Sequence, residues 1–415
     1  FLRSLARNPH SLQMFATLGA VSEELMQTLL THPEFLDMLM SPAVMATEKS
    51  LTAMLDELRE RVAGVKEFED KLLALRRYRH REMLRIGVRD LMSLADIITI
   101  HREIARLAEC CVRVALEIVS EQRTELPFAR CAIIGLGKLG GEELHYGSDL
   151  DIAFVHELGE KKPRPTRLHT FCKGVIEALS EWTAEGFAFK VDTRLRPEGA
   201  AGVMTRSLES YEEYWQEWIS PWERLALLRV RPVAGDEELG RRFVQRAHYW
   251  NFMQPVDEAV WQSICHIKHR VEAERATREP NVFDIKLAPG GLNDIEFTVQ
   301  WLQLRHGSAT PSVLSPNTFE GLERLWGAGI LSESEFQNLR EAYIFIRRVE
   351  SRLHLLDPNA PALLPQSGKK LEMLASTLQQ GEEERLDGQQ LIACYKKHAD
   401  KVRAIFERRF LGTGH

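Results

Sequence analysis

The sequence predicts an α+β fold that is mostly helical, with a small mixed sheet flanked by helical regions. Three observations lead there. Apolar residues recur at helical spacings up to about residue 122 and again beyond about residue 240. Between these regions, Cys131 to His156 reads as a strand, a glycine-rich turn and a second strand. Phe187 to Thr193 then alternates with period two, as a further strand would. Helices before and after a short strand-bearing segment make a segregated α+β architecture. The expected divisions are an N-terminal helical region 1–122, a central domain 123–240 and a C-terminal helical bundle 241–415.

The chain has 415 residues, enough for two or three domains at roughly 100–200 residues each. A hydrophobic content of 44% and a charged content of 27% suit a globular protein with a sizeable core. The net charge of −6 argues against a broad basic face, and so against a dedicated nucleic-acid binder. The six cysteines are scattered without a C-x-x-C pair. Neither a disulfide framework nor a zinc site is indicated, and a reducing cytoplasm is the expected compartment. No apolar run reaches the length of a membrane span and the N-terminus has no signal-peptide pattern, so no membrane partner is expected. The chain opens on Phe1 rather than Met, as a piece of a longer protein would.

In the N-terminal region Leu2, Leu5, Leu12, Phe15, Leu25, Leu29, Leu30, Phe35, Leu36 and Leu39 keep helical spacings. His32-Pro33 marks a turn, because the residue before proline avoids the α region. Lys71 to Leu94 fits an amphipathic helix, with Leu72, Leu75, Tyr78, Met83, Ile86 and Leu91 on its apolar side and room for a kink. Arg76, Arg77, Arg79, Arg81, Arg85 and Arg89 form the other side. That side is either solvated or meets an acidic partner or a nucleotide phosphate. Glu109 to Ser120 carries helix up to the central segment.

The chemistry-bearing residues cluster in that segment. Gly135, Gly137, Gly140 and Gly141 interrupt the first strand and permit close backbone approach to a ligand. Backbone N–H groups in such a loop can face an anion, and Lys138 adds a point charge beside them. Ser148 follows, then Asp149 and Asp151. On a strand, residues two apart share a face, while Leu150, Ile152 and Phe154 turn to the core. Two carboxylates about 4 Å apart repel by roughly 4 kcal/mol at an effective dielectric near 20. A divalent cation reverses that sign, and magnesium takes carboxylate and phosphate oxygens. The other reading is an inert D-x-D pair on an exposed strand edge. The loop is not a Walker A motif, and it departs from the Rossmann fingerprint because an acid-bearing strand follows where a full helix is required.

Lys161-Lys162-Pro163-Arg164-Pro165 is a basic, proline-punctuated loop. Leu168, Phe171, Cys172, Val175, Ile176, Leu179 and Trp182 then mark an amphipathic helix ending near Gly186. In Phe187 to Thr193, Asp192 is a candidate third carboxylate, with Arg194 and Arg196 next to it; a surface acid–arginine pair is the alternative. Pro197 to Gly202 is a flexible loop. Tyr211, Tyr214, Trp215, Trp218 and Trp222 read as a helix packed on the sheet. Glu223, Arg224, Arg229 and Arg231 could close over a substrate.

Beyond residue 240 the pattern returns to helix. Lys286 to Glu296, KLAPGGLNDIE, is the one irregular segment, with Asn293 as a candidate N-cap and Asp294 and Glu296 in the first turn. Ser332 and Glu335 make a capping box for a long helix with Phe336, Leu339, Tyr343, Ile346, Val349 and Leu353 on one side. A last helix runs from about Gln389 to Phe410.

Four blocks in order, GLGKLGGEELHYGSDLDIAF, VDTRLRPEGAAG, WERLALLRVRPVAGD and KLAPGGLNDIEFTVQWLQLRHG, resemble the glutamine synthetase adenylyltransferase family. The resemblance covers most of residues 70 to 355. It implies a nucleotidyltransferase domain of the DNA-polymerase-β type between helical domains. By resemblance Asp149 and Asp151 match the metal-binding pair of that fold, and Asp192 its third carboxylate. The small G-[GS] turn that opens such domains matches either Gly137-Lys138 or Gly140-Gly141. The family's full-length members carry two catalytic halves. One attaches AMP from ATP to a tyrosine of glutamine synthetase; the other removes it with phosphate, releasing ADP. Phe1 to Met40 resembles the lead into the C-terminal, adenylylating half, and YGSDLD resembles that half more than the S-S-D-I-D pattern of the other.

The resemblance therefore implies adenylylation, with deadenylylation as the alternative. ATP would lie over Gly137, Lys138, Gly140, Gly141 and Ser148, with Mg2+ on Asp149, Asp151 and Asp192 and with Arg194 or Arg196 on the pyrophosphate. Glutamine synthetase would be the protein partner and a PII-type nitrogen regulatory protein an effector. A regulatory scaffold with an inactive core is a second alternative, against which the three intact acids weigh. A polymerase or tRNA nucleotidyltransferase shares the fold but suits the net charge of −6 poorly.

Overall fold

The sheet grows from the apolar segment that follows the first helical region. β1 (Arg130–Gly135) and β2 (Leu150–Glu157) pair antiparallel, with Ile133 opposite Phe154 and Gly135 opposite Ile152. β3 (Val191–Asp192) and β4 (Thr205–Ser207) both run parallel to β2, one at its start and the other further along. β5 (Arg231–Gly235) pairs antiparallel with β1. The result is a five-stranded mixed sheet ordered β3-β2-β1-β5, with β4 beside β2. This computed structural model describes residues 9–122, 126, 128–160, 164–253, 256–277, 279–378 and 386–413. Leu2, Leu5 and the loop residues Lys161, Lys162 and Pro163 lie outside them.

Both faces of the sheet are covered. Cys131 and Ile133 of β1 join Leu150, Ile152 and Phe154 of β2 and the N-terminal helices in one buried cluster. Ala132, Ile134, Ala153 and Val155 belong to a second cluster with Tyr211, Trp215 and Phe243 from the helices Leu208–Glu217 and Glu237–Met253. Period-two alternation therefore separates two cores. Asp149 and Asp151 share the parity of Ala153 and Val155 but stand at the strand's open end. Of the aromatic stretch, only part is core: Trp218 and Trp222 are exposed.

The helix Phe68–Leu91 runs unbroken, without the kink the sequence allowed, and packs on Ile97–Glu121. Except at exposed Arg77, its arginine side is neither solvated nor open to a phosphate. Arg85 pairs with Glu82 at 2.7 Å and Glu103 at 2.6 Å, and Arg89 with Glu103 at 3.2 Å, all buried. Arg76 donates to the carbonyls of Leu72, Glu181 and Gly186. Arg79 is buried and pairs with Glu24, Arg81 pairs with Glu57 and Glu82, and exposed Arg77 pairs with Glu185. The acidic partner is the chain itself. Leu12 and Leu30, expected on the apolar side of the first helices, are exposed.

Two further expectations are corrected near the site. The amphipathic helix is Pro165–Ser180, ending before Gly186 and leaving Trp182 75% exposed. The extended stretch after it is only two residues long, and Ala188 and Phe189 are buried side by side rather than alternating. Their amides both reach the Leu179 carbonyl, at 2.9 and 3.0 Å, which folds the segment onto the end of that helix.

The helices Leu292–His306, Thr318–Gly327, Glu333–Leu356 and Gly388–Arg409 share another core that buries Phe336, Leu339, Tyr343, Ile346, Val349 and Leu353. The Ser332–Glu335 capping box forms as expected. The region is not purely helical: β6 (Val282–Asp284) and β7 (Leu363–Pro365) pair antiparallel. Three residues per strand are too few to leave a readable period. No helix among the described residues is long and apolar enough to cross a membrane.

Candidate active site

Asp149 immediately precedes β2, and Asp151 is the second residue of that strand. β3 lies in register beside it, with Asp151 opposite Asp192. Neighbouring strands stand about 4.8 Å apart, and in-register residues of parallel strands face the same way. The three acids therefore gather at one end of the sheet. Asp151 is pushed up to about 6, by burial first and then by the charges of Asp192 and Asp149. Asp192 is held below the ordinary carboxylate range by hydrogen bonds from Arg194: the amide at 2.7 Å, Nε at 2.9 Å and Nη2 at 2.5 Å. Arg194 is exposed, so no packing holds it on that acid.

Between β1 and β2 the residues Gly137–Gly140 make one short helical turn. Gly137 has φ +52°, and a Cβ there would stand 2.6 Å from Asp151 Oδ2. Glycine alone brings backbone that near the carboxylate without strain. A Cβ at Gly140 would strike the Arg229 carbonyl. The amides of Gly140 and Gly141 donate to the carbonyls of Leu136 and Gly137, at 2.9 and 3.1 Å. Arg231 donates to the carbonyls of Leu139 at 3.1 Å and Gly140 at 3.2 Å, and Arg229 pairs with Glu143. These two arginines, expected to close over a substrate, hold the loop from behind. Glu223 instead completes a capping box with Ser220, and Arg224 is buried against Asn251, at 2.6 Å from its carbonyl.

Lys138 reaches the long helix Glu333–Leu356, where its Nζ stands 3.1 Å from Glu350 Oε1. Burial lowers the Lys138 ammonium to about 8 against the opposing pull of Glu350. Ser148 Oγ accepts from the His145 amide at 3.0 Å and so shapes the turn into Asp149. Arg196 is buried and donates to the carbonyls of Thr193 at 2.6 Å, Gly202 at 3.0 Å and Val203 at 3.2 Å. It braces its own loop. His145, Glu350 and His354 bring potential ligand atoms within 4.8 Å of one another. The two imidazoles stack 14° apart at 4.3 Å, so their lone pairs do not converge, and Lys138 already supplies the cation for Glu350.

Sequence reasoning missed what the C-terminal region brings here. Asn317 Nδ2 donates to the Gly141 carbonyl at 2.7 Å, Thr318 Oγ1 donates to Glu143 at 3.1 Å, and Arg347 donates to the Glu143 carbonyl. Lys286 draws Asp151 back down with its positive charge. The irregular KLAPGGLNDIE segment was the one signal of this contribution. Its helix is capped by Gly291 rather than Asn293. Asp294 is buried 2.6 Å from Lys268, and Glu296 lies 3.9 Å from Arg229. A cleft of about 1080 Å³ opens beside Gly147 and Ser148, walled by His32, Trp182, Phe187 and Lys190.

Residues 12–246 match the family model of glutamate-ammonia ligase adenylyltransferase, and residues 265–410 match that of GlnD PII-uridylyltransferase. The chain is 34% identical over 414 residues to a bifunctional glutamine synthetase adenylyltransferase/adenylyl-removing enzyme of Mycolicibacterium smegmatis, covering 95% of this chain and 41% of the relative. Relatives of the same description in Streptomyces coelicolor and Thioalkalivibrio sulfidiphilus are 35% and 31% identical, covering 85% and 86% of this chain and 36% and 39% of their own lengths. The chain thus spans well under half the length of the relatives it matches. With the first match extending over more than half of its residues, the chain belongs to the glutamate-ammonia ligase adenylyltransferase family.

Proposed function

We propose that this chain transfers AMP from ATP to a tyrosine of glutamine synthetase, releasing pyrophosphate. The reading places a polymerase-β-like nucleotidyltransferase unit at 123–240 between helical regions 1–122 and 241–415. The observation that carries it is the meeting of Asp149, Asp151 and Asp192 beside a loop whose glycine lets the backbone approach them. Three carboxylates, two of which oppose the ionisation of Asp151, are an oxygen-donor set suited to a hard divalent cation. Asp149, Asp151 and Asp192 would hold Mg2+, which when bound offsets phosphate charge and steadies the leaving pyrophosphate.

The chain's own residues do the rest. Gly140 and Gly141 use their amides within the turn, so their task is close packing. The start of the loop, at Gly137, is then the part that faces the phosphates, while Lys138 ties the loop to Glu350 of the long helix. Ser148 sets the direction of Asp149. Arg194, released from Asp192 when cation and nucleotide arrive, meets the pyrophosphate, while Arg196 keeps the loop behind it in shape. The tyrosyl O–H gives its proton to bulk water as its oxygen attacks the α-phosphorus and the bond to pyrophosphate breaks. Asp192, in register beside Asp151, serves to hold the cation. The match to a PII-uridylyltransferase model supports a PII-type protein as effector.

The test is incubation with unmodified glutamine synthetase, Mg2+ and α-labelled ATP, beside a tube of modified enzyme with phosphate. Label on a glutamine synthetase tyrosine is expected. Label lost only from modified enzyme, with phosphate required and ADP formed, would assign the removing activity instead. Label in neither direction would leave an inactive scaffold.

A further inference from the structure

A triphosphate needs fixed positive charge as well as a metal. Most cations near the acids are already engaged. Lys138 is on Glu350, Arg194 on Asp192, Arg229 on Glu143 and Arg231 on Glu109. Arg196 is spent on the backbone of its own loop. The side chain of Lys286 makes no hydrogen bond or ion pair with any described residue, although the residue is half-buried. A half-buried lysine without such a partner leaves its positive charge available to an anionic ligand.

Its mounting is stiff. Asp284 accepts from the amides of Lys286 at 3.1 Å, Leu287 at 2.8 Å and Thr277 at 3.1 Å. The Lys286 carbonyl accepts from the Asn293 amide at 2.9 Å, and Ile285 is buried beside it. The helix that follows carries Glu296 to within 3.9 Å of Arg229, and the carbonyl of Arg229 packs on Gly140. The charge of Lys286 bears on Asp151 of β2, on Lys138 of the glycine loop and on Glu350 and His354 of the long helix. Its charge thus reaches groups on three elements.

We infer that Lys286 is a substrate-binding residue that the C-terminal region contributes to the site, contacting the β- and γ-phosphates of the bound nucleoside triphosphate. The inference rests on the nucleotidyl-transfer reading above. It makes the C-terminal region part of the nucleotide site as well as its neighbour.

Titration calorimetry of the full chain with Mg2+ and ATP, ADP or AMP tests it, using wild type, Lys286→Met and Lys286→Arg. Lys286→Met should weaken ATP binding by about 10-fold or more, leave AMP within about twofold, and raise KM for ATP more than it lowers kcat. Lys286→Arg should restore most of the loss. Unchanged ATP affinity in Lys286→Met, or equal losses for ATP and AMP, would overturn the inference while leaving the transfer reading intact. Failure of wild type to bind any of the three nucleotides would overturn both.

Discussion

Asp151 holds its proton up to about pH 6 because burial and the charges of Asp192 and Asp149 all oppose ionisation. Its folded value lies above the ordinary carboxylate range near 3.9. The cost to the fold is therefore absent below about pH 4, grows between about pH 4 and 6, and is complete above that. Asp151→Asn removes it. The variant should gain about 2 kcal/mol near pH 7.5, after allowance for solvent screening, and much less near pH 4.5. Calorimetric melting at the two pH values checks this. A variant less stable than wild type near pH 7.5 would contradict it. The same substitution should lower AMP transfer by roughly 10²–10³-fold, an activity loss paired with a stability gain. Arg194 offers a second test. It occupies Asp192 in a fork, so Arg194→Gln should strengthen Mg2+ binding a few-fold in the absence of nucleotide. Weaker Mg2+ binding in that variant would remove Asp192 from the cation site. The acids were legible because period two and short spacing survive in sequence; the burial that raises Asp151 was not, since it comes from surrounding elements.

At the scale of elements, the helix Phe68–Leu91 shows where periodicity misleads. Its apolar side was readable, and its arginine side looked like surface. Glu103 neutralises that side from the helix Ile97–Glu121, with one oxygen 2.6 Å from Arg85 and the other 3.2 Å from Arg89. Nothing within the arginine helix announces an acid arriving from another one. Glu103→Ala would leave two buried guanidinium groups short of their counter-charge. It should cost about 3–5 kcal/mol, read as a lower urea midpoint at unchanged slope. A loss under about 1 kcal/mol would mean that the network is solvated in solution. β3 makes the same point in strands. Phe187 to Thr193 alternates in sequence, yet only Val191 and Asp192 pair, because the Leu179 carbonyl captures the amides of Ala188 and Phe189.

At the scale of the molecule, the glycine loop is gripped from both directions along the chain. Arg229 and Arg231 hold it from the sheet side, while Asn317, Thr318, Arg347 and Glu350 hold it from the C-terminal helices. A fragment ending at residue 246, where the first family match stops, keeps all three acids but loses the second grip. It should transfer AMP at least about 10²-fold more slowly than the full chain, measured with the same labelled assay. Full activity in that fragment would show that the C-terminal helices are dispensable for catalysis.

Sequence alone determined the class of fold, the strand–turn–strand frame, the three acids and the long amphipathic helices. Each of these depends on spacing within a short stretch, and spacing is local. Tertiary structure alone decided the partners of the charged groups. It sent Lys138 to Glu350, 212 positions away, and Arg196 to its own loop. It turned Arg229 and Arg231 into supports for the loop and brought the charge of Lys286 to bear on the acids without an ion-pair partner among the described residues. A side chain's charge is written in sequence, but what neutralises it depends on which distant surfaces the buried apolar residues bring together.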